Sequence, residues 1–260
     1  MLIATFNING IKARLDSLLS WLKDAGPDVV CLQEIKCEDA AFPKQPFEDM
    51  GYNVLVHGQK GFNGVAILSR SPPEDVAPRL AGDDADLHSR YLEAVIPAAT
   101  GIVRVASIYL PNGNPPHTDK YAYKLRWMDR LAAKARQLLA LEEPLVLAGD
   151  FNVIPESEDA RNPALWVSDA LFLPETRAKY RVLLNIGLTD AVRASTRDSD
   201  VYTFWDYQAG SWQKNNGIRI DHCLLSPQAA DRLQWVRIDK HVRGTERPSD
   251  HVPVLAKFDV

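Results

Sequence analysis

Short apolar segments of β type in this chain end in polar residues whose types can perform chemistry. These residues are amides, carboxylates, one phenol and one imidazole: Asn7, Glu34, Tyr109, Asn112, Asp150, Asn152, Asp221, Asp250 and His251. A single Asn or Asp after a strand is usually a turn residue, but Glu is a poor turn former, and so many such positions are harder to explain as turns. If the strands end at one rim, these side chains form a carboxylate cluster with one histidine. Such a cluster suits a hard cation with oxygen ligands, Mg²⁺ or Mn²⁺.

Other metal and cysteine chemistry is not indicated. The sequence has no H-E-x-x-H motif. Its three cysteines, Cys31, Cys37 and Cys223, cannot all pair within the chain, and no two form C-x-x-C. This pattern excludes a disulfide scaffold and a four-cysteine zinc site, and it fits a reducing compartment. The apolar start of the sequence reads as a first strand rather than a signal peptide, and no apolar run reaches the ~18 residues of a membrane span. We therefore expect a cytoplasmic protein that does not act at a membrane.

The elements that must position these residues form an α/β pattern. Nine segments are of β type: Leu2–Phe6, Val29–Leu32, Tyr52–Val56, Val65–Leu68, Tyr91–Ile96, Val103–Tyr109, Leu145–Ala148, Ile218–Leu225 and Val252–Phe258. Apolar residues at helical spacing, with Pro174 at the start of the third, predict three helices: Leu15–Lys23, Tyr121–Leu141 and Glu175–Ile186. Several strands lie too close together for crossover helices, which indicates hairpins and mixed sheets. We predict two mixed sheets packed face to face with helices outside, rather than an eightfold β/α barrel.

The charge balance does not decide the partner. The 260 residues include 30 Lys and Arg against 34 Asp and Glu, a net charge of −4. The run from Lys120 to Gln137 nevertheless has one acid, Asp129, against six basic residues: Lys120, Lys124, Arg126, Arg130, Lys134 and Arg136. A mildly acidic protein can present a basic face to phosphate, because contact depends on the local potential. A solvated helix face explains the same run, and both interpretations stay open at this stage.

Seven segments in order resemble the exonuclease III family of abasic-site (AP) endonucleases, within the endonuclease/exonuclease/phosphatase superfamily. They are Asn7-Ile8-Asn9-Gly10, Leu32-Gln33-Glu34-Ile35-Lys36, Gly61-Phe62-Asn63-Gly64-Val65-Ala66, Tyr109-Leu110-Pro111-Asn112-Gly113, Gly149-Asp150-Phe151-Asn152, Arg219-Ile220-Asp221-His222 and Ser249-Asp250-His251-Val252-Pro253-Val254. The resemblance covers essentially the whole chain. It implies a four-layer α/β sandwich in which residues 1–260 form a single catalytic domain. It also implies Mg²⁺-dependent hydrolysis of DNA, with Mn²⁺ as a substitute.

The resemblance also implies a role for each polar residue. Glu34 would be the principal metal ligand, with Asn7 and Asp250 nearby. Asp150 would orient and deprotonate the attacking water, and Asn152 would fix that water and a phosphate oxygen. Asp221 would orient His251 against the scissile phosphate. Tyr109 would donate its hydroxyl to that phosphate, and Asn112 would lie near the leaving oxygen. Either Asp150 or His251 could be the general base.

Substrate choice would come from other segments. The aromatic run at 202–207 is on its own more often strand core than a site. In the family, the positions that match Phe204, Trp205 and Ile218 line a pocket that accepts a baseless deoxyribose turned out of the helix. Turning out a baseless sugar costs less unpairing energy than turning out a normal nucleotide. Lys12, Lys36, Gly61 and Phe62 would contact the DNA backbone, with the glycine allowing the main chain to approach a phosphate. Asn114 and Gln208 match positions that some relatives insert into the duplex, and both are short and polar here.

Three functions compete at this stage. The first is a monomeric DNA repair nuclease acting on double-stranded DNA: it would cut 5′ to an abasic site, and it would also remove 3′-blocking groups and nucleotides from 3′ ends. The second is a phosphatase or phosphodiesterase for lipid or inositol phosphates, since substrate choice lies in the loops of a shared core. The third is an inactive binding protein, whose usual sign would be the loss of Glu34, Asp150 or His251. All three residues are present, and we predict the nuclease.

Overall fold

The computed structural model describes residues 1–260 and contains two six-stranded sheets. Twelve strands form them: β1 (Leu2–Asn7), β2 (Val29–Gln33), β3 (Asn53–His57), β4 (Val65–Ser69), β5 (Glu74–Ala77), β6 (Tyr91–Ala98), β7 (Gly101–Tyr109), β8 (Leu145–Asp150), β9 (Thr189–Asp190), β10 (Asp221–Leu225), β11 (Leu233–Ile238) and β12 (Val254–Phe258). The order is β11-β12-β1-β2-β4-β3 in the first sheet and β5-β6-β7-β8-β10-β9 in the second. Each sheet contains one parallel pair, β1 with β2 and β7 with β8, and is otherwise antiparallel. The predicted mixed sheets are confirmed.

Three long helices cover the outer faces of the sheets. They are α1 (Leu15–Ala25), α3 (Asp119–Leu139) and α4 (Pro174–Asn185), and each contains the core of a predicted helix. The short helices α2 (Gln45–Asp49), α5 (Ala191–Ser195) and α6 (Pro227–Ala230) were not predicted. None of the helices is both long and apolar enough to cross a membrane.

Alternating side chains of the strands divide the core into layers. On β7, Val103 and Val105 face the other sheet, whereas Ala106 and Ile108 face α3. The first sheet alternates in the same way between the inter-sheet layer and α1. Because successive side chains of a strand point to opposite faces, both faces of each sheet are apolar and buried. The four-layer helix–sheet–sheet–helix sandwich is therefore confirmed.

The strands that the sequence analysis missed lie at sheet edges. β5, β9 and β11 are all edge strands, and β5 and β11 are largely exposed. β9 has only two residues, and polar side chains interrupt β5 and β11, so these three strands have no apolar run to detect. β3, the fourth edge strand, keeps the run Val54-Leu55-Val56 and was predicted. The predicted strand from Ile218 is also shorter than expected, because Ile218 makes only isolated bridges to Ala160 and Phe204 before β10 begins at Asp221.

Candidate active site

Strand ends from both sheets meet at one rim of the sandwich. Asn7 ends β1 opposite Gln33 of the parallel strand β2, which leads directly into Glu34. In the second sheet, Asp150 at the end of β8 lies opposite Tyr109 of β7 and Asp221 of β10. Pairing register therefore fixes which polar side chains share the rim, because a slip of one residue would turn each of them to the opposite face.

Asp150 is held from three sides. Its Oδ2 accepts a hydrogen bond of 2.9 Å from Asn7 Nδ2, and its Oδ1 accepts one of 2.9 Å from the backbone N of Asn152. His251 Nε2 lies 3.7 Å from the same Oδ2. Asn7 Nδ2 also donates to Glu34 Oε1 at 2.9 Å, so this amide links the two carboxylates. The Asp150 carboxylate has one orientation, which is what a group that aligns a water molecule requires.

Asp221 orients His251. The imidazole Nδ1 lies 2.9 Å from Asp221 Oδ2 and 3.1 Å from Oδ1, and both side chains are buried. With Nδ1 donating to Asp221, Nε2 is the nitrogen that faces Asp150 and the cavity. The ring of Phe204 packs edge-on against the imidazole, with centroids 5.0 Å apart. The imidazole is thus fixed by a hydrogen bond on one side and an aromatic ring on the other.

The buried carboxylates and the imidazole change one another's pKa values. Burial raises the pKa of Asp150 to about 7: Asp221 and Glu34 add to the rise, and His251 opposes it. Burial alone would lower the pKa of His251, but Asp221 and Asp150 outweigh it and raise this pKa to about 10. Burial, with the carboxylates of Glu34 and Asp150, keeps the pKa of Tyr109 well above its usual value. At neutral pH His251 is therefore a cation, and Tyr109 carries a proton that it can donate.

Glu34, Asp150 and His251 form a set of groups that could hold a metal ion. One ligand atom from each lies within 4.8 Å of the others. Burial acts to raise the pKa of Glu34, but hydrogen bonds from Asn7 and Lys36 outweigh it, and the net shift is downward. Asp250 lines the same cavity, and its Oδ1 accepts a hydrogen bond of 2.9 Å from Asn9. Several carboxylates with few cationic partners are the donor set that a hard divalent cation prefers, so the residues present fit such an ion.

Backbone conformation at the rim is unusual at two of these residues. Glu34 has φ of 51° and Asn152 has φ of 48°, in the left-handed region that side chains other than glycine rarely adopt. Backbone hydrogen bonds hold the loop around Glu34, where Gly10 N donates to Glu34 O at 2.7 Å. Asparagine tolerates this region, so the strain falls on Glu34, where the surrounding hydrogen bonds compensate the cost.

A cavity of about 340 Å³ opens in front of these groups. Its polar wall contains Glu34, Asp150 and His251. Its apolar wall contains Phe204, together with Trp166 and Leu171 from a second segment and Ile220 from a third. None of the last three residues was predicted to line the site. Ile220 precedes the candidate catalytic Asp221, which is the one local signal that could have identified it, whereas Trp166 and Leu171 come from a segment without a motif.

Two predicted pocket residues lie behind that wall. Trp205 is fully buried, and its indole packs edge-on against Trp212. Ile218 is 1% exposed and packs in a small core with Leu171 and Ile220. The structure thus brings only Phe204 of the three predicted pocket residues to the cavity.

The predicted DNA-contacting residues fall into two groups. Lys12, Gly61 and Phe62 are exposed, and 53% of Phe62 is accessible to solvent. Lys36 is instead engaged at the site, because its Nζ forms an ion pair of 2.8 Å with Glu34 Oε2 and also donates to Asn9. Gly61 has φ of 79°, so the backbone at this loop requires glycine.

The two predicted insertion residues also differ. Gln208 is exposed. Asn114 is half-buried and held in place: its Nδ2 donates to both carboxylate oxygens of Asp169, at 3.1 and 3.2 Å, and its Oδ1 accepts from Ala170 N. An amide committed to three hydrogen bonds would have to break them before it could enter a duplex.

The basic run on α3 is neither a fully solvated face nor a free basic patch. Arg130 pairs with Asp86 at 2.7 Å, and Lys134 pairs with Glu93 at 3.0 Å. Lys124 is completely buried, and its Nζ donates to backbone carbonyls beneath the cavity. Lys120, Arg126 and Arg136 remain exposed. Helical periodicity could not reveal this, because Lys124 shares a face with apolar neighbours that pack in the core.

A second buried polar cluster lies on the other side of residues 219–222. Arg219 is fully buried and donates to Asp159 and Asp190, each at 2.7 Å, and Arg193 also pairs with Asp159. His222 Nδ1 lies 2.9 Å from Arg219 Nη1, and Nε2 lies 2.9 Å from Val153 O. We call these five residues the Arg219 cluster. Burial and the Arg219 charge lower the pKa of His222 to about 4, so this histidine is neutral.

Comparison with known proteins agrees with this geometry. The model of the Endonuclease/Exonuclease/phosphatase family matches residues 4–251, and the chain belongs to that family. Exodeoxyribonuclease III of Haemophilus influenzae is 35% identical over 270 residues, covering 99% of this chain and all of that protein. This relative identifies the chain's branch of the family as that of exodeoxyribonuclease III and the AP endonucleases. Members of this branch are phosphodiester hydrolases that depend on divalent metals.

Two solved structures share the whole fold. An AP endonuclease from Archaeoglobus fulgidus superposes with a TM-score of 0.95 at 37% identity, and both chains are covered completely. A 3′ phosphatase from Neisseria, NExo, bound to a product DNA hairpin, superposes with a TM-score of 0.96, also at 37% identity and with full coverage of both chains. Relatives with different named activities are thus equally similar to this chain.

Proposed function

We propose that this protein is a Mg²⁺-dependent DNA repair nuclease that cuts duplex DNA on the 5′ side of an abasic site. The products would be a 3′-hydroxyl and a 5′-deoxyribose phosphate. Removal of 3′-blocking groups and of nucleotides from 3′ ends would use the same site. The observation that carries the proposal is the buried Asp150, fixed by Asn7, Asn152 and His251, at the wall of a cavity with an apolar side.

The chain's own residues divide the work of hydrolysis. Asp150 accepts the proton of the attacking water, and its pKa of about 7 suits a base at neutral pH. His251, kept cationic by Asp221, donates from Nε2 to a phosphate oxygen, and Tyr109 donates its hydroxyl to the same group. Asn112 stabilises the leaving side. Glu34 and Asp250, with Asn7 close by, would hold Mg²⁺, which supplies positive charge to the phosphate and the leaving oxygen.

The apolar wall supports the choice of an abasic substrate. Phe204 packs against His251, so an apolar surface directly adjoins the catalytic imidazole. A baseless sugar offers an apolar face that this wall can contact, and turning it out of the helix breaks no base pair. Lys12, Gly61 and Phe62 lie exposed and would contact the flanking backbone. All of these groups come from one chain, so a monomer suffices.

The experiment uses an end-labelled duplex with one reduced abasic analogue, which cannot undergo β-elimination. We expect a single cut 5′ to the analogue in Mg²⁺, none after chelation, and none in the matched duplex without the lesion. A second duplex that ends in a 3′-phosphate measures the phosphatase activity in the same buffer. Absence of any cut in Mg²⁺ or Mn²⁺ by folded protein would contradict the proposal.

A further inference from the structure

Lys124 of α3 is a lysine without solvent contact and without an acidic partner in hydrogen-bonding range. It is 0% exposed, and its Nζ donates to Asn112 O at 3.0 Å and to Asn152 O at 2.5 Å. A buried amine is costly, because it loses its hydration and needs compensating acceptors. Burial lowers the pKa of Lys124 to about 7, and the charges of Asp150 and Asp169 oppose that shift. Here both acceptors belong to residues that face the candidate active site.

Lys124 adds a shared anchor to two residues that lie just past the ends of their strands. Asn112 and Asn152 follow β7 and β8, beyond the hydrogen bonds that hold the strands together. Their side chains are joined, with Asn112 Nδ2 donating to Asn152 Oδ1 at 3.0 Å, while Asn152 Nδ2 donates to Leu110 O. Lys124 closes this arrangement because its single Nζ donates to both backbone carbonyls.

Packing around the lysine stem leaves it little freedom. A Cβ added at Gly113 would lie 2.6 Å from Lys124 Cδ, so the glycine after Asn112 makes room for the stem. Trp127 and Met128 of the same helix are buried beside the second sheet and fix the helix against it. The ammonium therefore has a defined position relative to both asparagines.

We propose that Lys124 is a positioning residue that holds Asn112 and Asn152 at the cavity, and that its loss costs turnover more than it costs folding. The inference rests on the proposed function. Without the ammonium, two carbonyls lose their donor and the loops that carry the asparagines can relax. A displacement of about 1 Å in such groups can cost about 100-fold in rate. Lys124 does not reach the substrate, so DNA affinity should remain.

The test compares Lys124→Met with Lys120→Met, which removes an exposed lysine one turn earlier on the same helix. For each protein we would measure thermal unfolding, the affinity for the abasic duplex in chelator, and single-turnover cleavage in Mg²⁺. We expect Lys124→Met to fold, to bind DNA within about twofold of the parent and to cleave about 100-fold more slowly. Lys120→Met should match the parent throughout, and Lys124→Arg, which keeps donors and charge, should recover part of the rate.

A structural readout accompanies the kinetics. In protein labelled with ¹⁵N-asparagine, the side-chain amide signals of Asn112 and Asn152 should shift or broaden in Lys124→Met and stay in place in Lys120→Met. Cleavage by Lys124→Met within threefold of the parent would overturn the proposal. So would a loss of DNA affinity as large as the loss of rate, or failure of Lys124→Met to fold. If the parent itself does not cleave the duplex, the proposed function fails instead, which separates the two results.

Discussion

Two buried polar clusters lie on opposite sides of residues 219–222, and they differ in how their charges are balanced. In the Arg219 cluster, two arginines face two aspartates, and His222 is neutral. At the active site, carboxylates of Glu34, Asp150 and Asp221 face one cationic imidazole, that of His251, with Lys36 at the edge. The first cluster is complete without a ligand. Under the proposed function, the second would be completed by a divalent cation and a phosphate.

The pKa shifts record the same difference. Burial acts to raise the pKa of Asp159 and Asp190, but Arg219 outweighs it and lowers both. Asp150 has no arginine, and its pKa rises to about 7. Fully matched buried ion pairs serve the fold, whereas an acid with a raised pKa at the wall of a cavity is the feature expected of a catalytic base.

The largest effect should come from breaking the matched cluster. Arg219→Met removes the positive charge that two buried aspartates share, and leaving buried charges unpaired costs about 3–5 kcal/mol of unfolding free energy. Chemical denaturation should show this loss. Any variant protein that remains folded should keep the parent's rate per folded molecule. A stability within 1 kcal/mol of the parent would contradict the role given to Arg219.

The next effect concerns the cationic imidazole. His251→Gln keeps a hydrogen-bond donor near the phosphate but removes the positive charge, so single-turnover cleavage should fall by about 100-fold. Unfolding free energy should fall as well, because the buried Asp221 loses its charged partner, so the rates are compared per folded molecule. His241→Gln, at an exposed histidine remote from the cavity, is the matched control and should cleave like the parent. Equal rates for the two variants would remove His251 from the mechanism.

A divalent ion bound at the active-site cluster should raise the unfolding free energy of the protein. At about ten times its dissociation constant, Mg²⁺ should raise the parent's unfolding free energy by about 1.4 kcal/mol. Glu34→Gln should lose this gain, because a ligand is replaced by a neutral amide. Glu38→Gln, at an exposed glutamate nearby, should retain it. A gain that survives in Glu34→Gln would place the ion elsewhere.

The smallest effect is a pH dependence of opposite sign at the two histidines. The pKa of His222 is lowered to about 4, so its contribution to stability is present above pH 6.5 and is lost as pH falls toward 4. Between pH 7 and 5.5 the parent should lose about 1 kcal/mol relative to His222→Gln. The pKa of His251 is raised to about 10, so its contribution is full below pH 6.5 and declines as pH rises toward 10. Parallel denaturation curves at four pH values, in chelator, would check both signs.

Much of this arrangement could be predicted from the sequence, because it follows from short periodic signals. Apolar runs identify the central strands, and the polar residues that end them reach one rim once the register is set. The edge strand β11 was missed, since its exposed polar residues give no apolar run. The predicted segments therefore define the core and the catalytic rim better than the edges.

The remainder depends on long-range packing. Trp166 and Leu171 reach the cavity from a segment without regular structure, so no periodicity marks them. Trp205 belongs to an aromatic run but turns into the core, and only the folded chain decides which of two neighbouring rings faces the cavity. Lys124 looks like any basic residue on a helix until the loops after β7 and β8 are placed above it.

The most direct test of this account measures Asp150→Asn and Asp190→Asn side by side. Both substitutions replace a buried aspartate by an amide of the same size, one in each cluster. We predict that Asp150→Asn keeps its unfolding free energy and DNA affinity but loses at least about 100-fold in single-turnover cleavage of the abasic duplex. Asp190→Asn should lose stability and keep its rate per folded molecule. Near-normal cleavage by Asp150→Asn, or equal losses of rate in both variants, would contradict the account.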